Sequence, residues 1–444
     1  MGPRDLAAAA LAAAALLAAQ RQPPASSVTT FEGARVIAGD GTTIDNATFT
    51  VRGGRFAQVG PTGGVAVSAG SRRVDLRGKT VMPALVDAHV HLGYRKGQSF
   101  TADNYTRDTL LDTLDRFAFH GVAAVFEAGT GRGELPFLVR SDARSGARYL
   151  TAGRGFAMPH AGPGVPMRDA PFGVTTEAEA REDVRALAAR RPDMIKIWVD
   201  DRGGTVEKLK PNLYRAIIDE AHRHGLRVMA HIAALDDAKD LLRAGVDGFG
   251  HVVRDRDVDD ELLTLLRQRP NVFVLETLWG ERTAIYQGKP AWLDEPLLRA
   301  TLSAAEVAQL AESFSRPLTA EQRDGARRLL RNVARLNAAG VRLGLGTDTG
   351  GVTGGQYFGL ASLVELELLV RAGLTPAQAI VAGTRTSAEI LGLDDLGTVA
   401  TGKSADFVVL DANPLDDIGR ARSVSAVFMR GQELDRASLR SRWR

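Results

Sequence analysis

The sequence predicts an α/β protein, a (β/α)8 TIM barrel with a small β-sandwich domain built from both chain ends. Three observations predict it. From about Val81 onward, short apolar runs alternate with loops and amphipathic stretches eight times, the pattern of parallel βα units. The flanks Phe31 to Val81 and Gly397 to Phe428 instead alternate apolar and polar residues between Gly-Asp-Gly, Gly-Gly and Asn-Pro turns, which reads as short strands. The chain is 444 residues long, 44% hydrophobic and 25% charged, enough for one barrel with additions and a real core.

In chain order, the first segment reads as an address. Arg4 precedes Leu6 to Ala19, an unbroken Ala/Leu run of 14 residues, and a polar exit with Pro23-Pro24. A basic start and an apolar stretch too short to span a bilayer predict a signal peptide over 1–25, and hence export to the periplasm or medium. Residues 26–82 form the first part of the β-sandwich and 393–444 the second. The barrel fills 83–392. Its strands are expected at Val86–Val90, Val122–Glu127, Tyr149–Ala152, Met194–Val199, Arg227–Ile232, Gly248–Val252, Val272–Glu276 and Arg342–Gly346. Between them helices are expected at Thr109–Phe119, Glu177–Ala189, Leu213–Arg223, Asp236–Arg243, Asp259–Leu266 and Ala320–Leu336. The long insert Gly280 to Arg316 has room for extra helices over the barrel mouth. Thr375-Pro376-Ala377-Gln378 carries a capping box with proline at the first helical position.

Composition narrows the function. A net charge of +3 without a run of like charges leaves no footprint for nucleic acid. No other segment reaches the length of a membrane span. Cysteine is absent, so thiol nucleophiles, disulfides and thiolate metal sites are excluded. Any metal must be held by His, carboxylate or a modified lysine. The partner expected is a small-molecule substrate, with a second copy of the chain in a homo-oligomer.

Only eight histidines occur. His120, His222 and His224 sit at helix ends, two of them just before Gly121 and Gly225, a structural arrangement for a cation at a helix C-terminus. His89, His91, His231 and His251 fall at the downstream ends of strands one, five and six, on the rim where barrel chemistry sits. His89 and His91 are two apart on a strand, so both face the same way. Asp348, in Gly346-Thr347-Asp348-Thr349-Gly350, follows strand eight. Each has a plainer reading alone, as a core histidine or a turn aspartate. Together they point to a metal site, and imidazole with carboxylate suits Zn, or Mn, Fe, Co or Ni.

Lysine is used at only eight positions. Lys196 stands inside the apolar run Met194-Ile195-Lys196-Ile197-Trp198-Val199, where an ammonium is expensive to bury. Burial favours the neutral amine. That amine can add carbon dioxide and become N6-carboxylysine, an anion able to bridge two cations. Pairing of the ammonium with a carboxylate such as Asp200 is the alternative.

Val86-Asp87-Ala88-His89-Val90-His91, Met194-Ile195-Lys196-Ile197, His231 with His251, and Gly346-Thr347-Asp348 together resemble the amidohydrolase superfamily in its binuclear form with a carboxylated lysine. The tail Leu396 to Leu410 with Asn413-Pro414-Leu415 is similar to the family's closing β-segment. The resemblance is strongest to the imidazolonepropionase-like branch that includes Xaa-dipeptidases. It implies that His89, His91 and Asp348 bind the more buried metal, that His231 and His251 bind the more exposed one, and that carboxylated Lys196 bridges both. The chain departs from that branch at Glu127-Ala128-Gly129-Thr130, at Asp200-Asp201-Arg202 and at Ile232-Ala233-Ala234. These departures are expected to face the substrate.

The expected reaction is hydrolysis of a C–N bond, amide or peptide-like, in a small substrate such as a dipeptide or an N-acyl amino acid. A metal-bridging hydroxide attacks, with Asp348 as general base and then acid. His160, Tyr94, Arg154 and Arg202 lie in rim loops as candidate substrate contacts, an arginine being suited to a carboxylate. The same two-metal site would also serve for esters, lactones or carbamates. A mononuclear deaminase would use His89, His91, His231 and Asp348 without a modified lysine.

Overall fold

A computed structural model describes residues 28–142 and 146–443. The signal-peptide reading over 1–25 lies outside the described residues. Eight strands line up as the barrel: β1 (Leu85–Val90), β2 (Val122–Glu127), β3 (Arg148–Thr151), β4 (Ile195–Val199), β5 (Val228–Ile232), β6 (Gly248–Phe249), β7 (Phe273–Leu275) and β8 (Arg342–Gly344). β1 to β3 form one parallel sheet, and β4 to β8 run in order through another. Backbone hydrogen bonds stitch the two seams. At β8–β1, Ala88 donates to Leu345 at 2.9 Å, and a parallel bridge joins Val90 to Thr349. At β3–β4, Asp193 donates to Thr151 at 3.0 Å, and Phe156 pairs with Ile197. The strands are buried on both faces and read as apolar runs, as a parallel sheet jacketed by helices requires.

Each expected helix is present within about two residues of its expected bounds: Arg107–Phe119, Glu177–Ala188, Pro211–Arg223, Leu235–Ala244, Asp260–Gln268 and Ala320–Ala338. β6, β7 and β8 are shorter than the apolar runs that encode them, because their last residues leave the ladder to build the rim. The insert holds short helices, among them Arg282–Tyr286 and Ala304–Ser313. Its start is tied to the rim: Trp279 Nε1, just before it, donates to Gly354 O at 2.7 Å, and Arg282 Nη1 within it to Thr353 O at 3.1 Å.

The chain ends meet in one eight-stranded mixed sheet made from Thr29–Pro83 and Phe407–Glu433. Hydrogen bonding runs through it continuously. Three strand spacings separate Phe49 from Phe407, about 14 Å in a flat sheet. Their rings nevertheless lie 5.4 Å apart, edge to face. The sheet therefore curls over a core of its own, in which Phe31 stacks on Phe49 and Phe407 on Phe428. No helix among the described residues is long and apolar enough to cross a membrane.

Candidate active site and metal centre

The last residues of the barrel strands converge on one point. β1 delivers His89 and His91, both essentially buried, with ring centroids 5.3 Å apart. Beyond β8 the chain turns sharply and holds Asp348 at φ +56°, a left-handed conformation that aspartate tolerates better than most residues. The turn brings Asp348 Oδ1 to 3.1 Å from His91 Nε2 and 3.6 Å from His89 Nε2. Ligand atoms of these three side chains lie within 4.8 Å of one another. His251 packs on His89 at 4.8 Å between ring centroids, and His231 on His251 at 4.3 Å.

Lys196 closes the group. Its side chain is fully buried, and Nζ lies 3.3 Å from His89 Nε2. It makes no ion pair among the described residues, Asp200 being engaged elsewhere. Burial drives its pKa down to about 7, against the pull of Asp348 and Glu127. Gly250 makes the crowding possible. A Cβ there would come within 2.8 Å of the His89 ring and 3.1 Å of Lys196 Nζ, and the Gly250 carbonyl faces His89 Nδ1 at 2.9 Å.

Each imidazole is oriented by a partner on its other nitrogen. His91 Nδ1 meets Thr130 Oγ1 at 3.1 Å, and Thr130 Oγ1 donates to Glu127 at 2.6 Å. His231 Nε2 meets Asp200 Oδ2 at 3.0 Å. His251 Nδ1 meets Thr277 Oγ1 at 2.7 Å. Thr277 has φ +48°, an outlier for a β-branched residue and the kind of strain found at functional sites. Arg254 Nη2 also reaches His251 Nδ1, at 2.8 Å. A guanidinium only donates, so Nδ1 accepts in this arrangement.

Burial holds His89 and His251 far below the ordinary histidine pKa and His231 at about 4, so all three are neutral. His91 titrates higher than usual despite its burial, because Asp348 and Glu127 hydrogen-bond to it. Asp348, although partly buried, is held below the usual carboxylate range by His91 and His89. Neutral imidazoles beside an ionised carboxylate are the protonation states that bind a cation. His251 Nε2 is buried with no hydrogen-bond partner; with the ring proton on Nδ1, facing Thr277 Oγ1 in place of the Arg254 contact, Nε2 offers a lone pair of the kind a metal satisfies. The donor set fits divalent cations.

A cavity of about 320 Å³ opens onto this group, lined by His91, His231, Asp348, Arg202, Arg254 and Trp198 with apolar side chains from two loops. Of the four rim candidates, Arg202 lies in it. Tyr94 is wholly buried and its hydroxyl donates to the Thr130 carbonyl at 2.7 Å. Arg154 is turned to the carbonyls of Ala170 and Pro171, at 2.7 and 2.8 Å, over the Phe172 ring. His160 is exposed in a shallow outer depression, and its carbonyl accepts from Arg168. Two positions expected to face substrate face the histidines instead: Glu127 is buried behind His91, and Asp200 orients His231. Polar side chains at strand ends satisfy the imidazoles first, since a buried imidazole N–H needs a partner. Sequence reasoning missed Arg254 and Thr277, which only their positions three and one residues beyond a rim histidine or strand end could have flagged. His120 and His222 do have structural roles, His120 Nδ1 meeting the Arg116 carbonyl at 2.9 Å and His222 meeting Asp247 at 2.8 Å.

Residues 80–434 match the amidohydrolase family. The imidazolonepropionase of Agrobacterium fabrum is 26% identical over 83% of this chain and 85% of its own length. The ochratoxinase of Aspergillus niger is 28% identical over 54% of this chain and 45% of its own. Among solved structures, a Bifidobacterium longum chain assigned as a prolidase superposes with a TM-score of 0.72 at 28% identity, covering 95% of this chain and all of that one.

Proposed function

The chain belongs to the amidohydrolase family, and from that premise we propose that it is a metal-dependent hydrolase that cleaves a C–N bond, amide or peptide-like, in a small substrate such as a dipeptide or an N-acyl amino acid. The relatives named for imidazolonepropionase, ochratoxinase and prolidase activity support the reaction class. The observation that carries the reading is the burial of Lys196 against His89, without a carboxylate partner, where four imidazoles and one carboxylate from four other strand ends meet.

His89, His91 and Asp348 would hold the deeper cation and His231 with His251 the outer one. Lys196, as N6-carboxylysine, would bridge them. Divalent ions held there, zinc on this donor set, would supply a lowered pKa for water and Lewis-acid polarisation of a carbonyl. Asp348, which lines the cavity, would take the proton of the attacking water and return it to the departing nitrogen. Thr277, Asp200 and the Thr130–Glu127 pair keep the imidazoles in register while this happens. Export by way of the Leu6 to Ala19 leader completes the proposal.

The test combines metal analysis, intact mass and a substrate screen. Two metals per chain, the added mass of one carbon dioxide, and chelator-sensitive release of amine from dipeptides, N-acyl amino acids or aryl amides are expected. A single metal, an unmodified mass and release of ammonia would replace this reading with a one-metal deaminase.

A further inference from the structure

A second cavity, an open cleft of about 1120 Å³, lies between the insert, the helix Leu360–Arg371 and the closing segment of the chain. It shares no lining residue with the cavity at the histidines. Four acids line it, and each is engaged. Glu295 accepts from Arg422 Nε and Nη2 at 2.9 and 3.0 Å, and Glu367 from Arg422 Nη1 at 2.9 Å. Asp411 pairs with Lys79, and Asp417 caps the Gly419 N–H at 2.9 Å. Among the arginines of the wall, Arg371 and Arg420 also have acids, Glu367 and Asp416. Arg436 and Arg440 have none among the described residues. They stand one turn apart on the helix Arg436–Ser441, and both line the cleft.

Arg436 is held in place: Nη1 donates to the Val424 carbonyl at 2.9 Å, and the guanidinium stands 4.4 Å from the centroid of the Phe119 ring. Burial, and then the charge of Arg440, push its pKa down to about 10. The Arg440 side chain makes no hydrogen bond among the described residues, and its Nε–H is buried. Like charges one helical turn apart repel, and an anion between them relieves the repulsion. Beside the pair the wall is apolar, with Pro296 exposed and Leu297, Val370 and Val424 half-buried. The space is far larger than one inorganic ion needs and stands at the upper end for small-molecule sites, about 1,000 Å³.

We propose that this cleft is a binding site for an amphipathic anion, its oxyanion head held by Arg436 and Arg440 and its apolar body laid against Pro296, Leu297 and Val370. Two guanidinium groups offer more N–H donors than the two oxygens of a carboxylate take up. A head with three terminal oxygens, a sulfonate or a phosphate monoester, meets both groups at once. No residue of the cleft takes part in the hydrolytic chemistry proposed above, so the two readings stand or fall separately.

Calorimetric titration of the metal-loaded protein tests this with naphthalene-1-sulfonate, 1-naphthyl phosphate, neutral naphthalene-1-methanol and inorganic sulfate. The better aryl oxyanion is expected to bind about ten- to a hundredfold more tightly than the alcohol, the range for hydrogen bonds to a charged group. It should also exceed inorganic sulfate by about tenfold or more, since sulfate buries no apolar area. Whichever aryl compound binds more tightly identifies the head group. Arg440→Gln and Arg436→Gln should each weaken that binding by about tenfold, and Arg440→Lys should recover part of it. Arg440 has no partner to lose, so its variants keep the fold, as circular dichroism melts will report. Arg420→Gln, which removes an arginine of the same cleft already beside Asp416, should change the affinity by less than about threefold. Equal affinities for the aryl oxyanions and the alcohol, or for the aryl oxyanions and inorganic sulfate, overturn the proposal. So does binding that survives both glutamine variants, which would place the anion at the metal centre instead.

Discussion

Replacing Lys196 by methionine should make the metal-free protein more stable while destroying the site. The side chain is fully buried; its Nζ has His89 Nε2 as hydrogen-bond partner and stands 5.3 Å from the centroid of the Trp198 ring. Asp348 and Glu127 favour the ammonium, Arg202 opposes it, and burial outweighs them all, taking the pKa from 10.5 to about 7. At about 1.36 kcal/mol for each pH unit, that is a penalty of ~5 kcal/mol against the folded state. The unfolded chain keeps this proton up to about pH 10.5, whereas the folded chain gives it up near 7. The unfolded state therefore binds more protons across that window, and stability rises with pH through it. Below about pH 7 the penalty is present in full. Methionine fills a similar volume without charge, so a gain of roughly 2–4 kcal/mol at pH 7 is expected, shrinking toward pH 10. Urea denaturation of chelator-treated proteins at both pH values measures it. The same variant should take up less metal and lose turnover. A metal-free variant no more stable than the parent at pH 7, or a gap that does not narrow at high pH, refutes the reasoning.

Asp348→Asn should lower kcat by about 10²–10⁴-fold, the usual contribution of a positioned acid–base group, as read by steady-state kinetics on the best substrate. Gly350→Ala should prevent assembly of the rim, because φ is +85° and a Cβ would run into the His91 carbonyl; loss of metal uptake in a protein that still folds is the expected signature. Phe407→Ala should destabilise the protein by about 3–5 kcal/mol in denaturant titrations, since its ring contacts Phe31, Phe49, Phe56 and Phe428 in the curled sheet.

Much of the barrel was legible because its signals are local. The apolar run Val122–Glu127 and the periodic stretch ending at Arg223 need no distant partner to be read, and both are observed with nearly the expected bounds. The capping box at Thr375 and Gln378 forms as written, with Thr375 Oγ1 accepting from Gln378 N at 3.2 Å. His89, His91, His231, His251 and Asp348 could be picked out because strand ends share one rim. Glu127 could not be assigned. Its sequence neighbours are compatible with facing either substrate or strand, and the hydrogen bonds from Thr130 and Thr151 decide it. Arg154 and Arg202 look alike in sequence, as arginines in glycine-rich loops. One donates to carbonyls behind the rim and the other lines the cavity. The curl of the β-rich sheet was likewise hidden, because it depends on rings from opposite chain ends.

Alone, the amino-acid sequence determined which segments are strands and helices, which histidines and which aspartate gather at the barrel rim, and that thiol chemistry is absent. Hydrophobic period and residue type are properties of short stretches and survive without the fold. Tertiary structure alone decided which polar side chains serve the imidazoles and which remain free for a substrate. A hydrogen bond is settled within a few tenths of an ångström, between atoms that the chain holds tens or hundreds of residues apart.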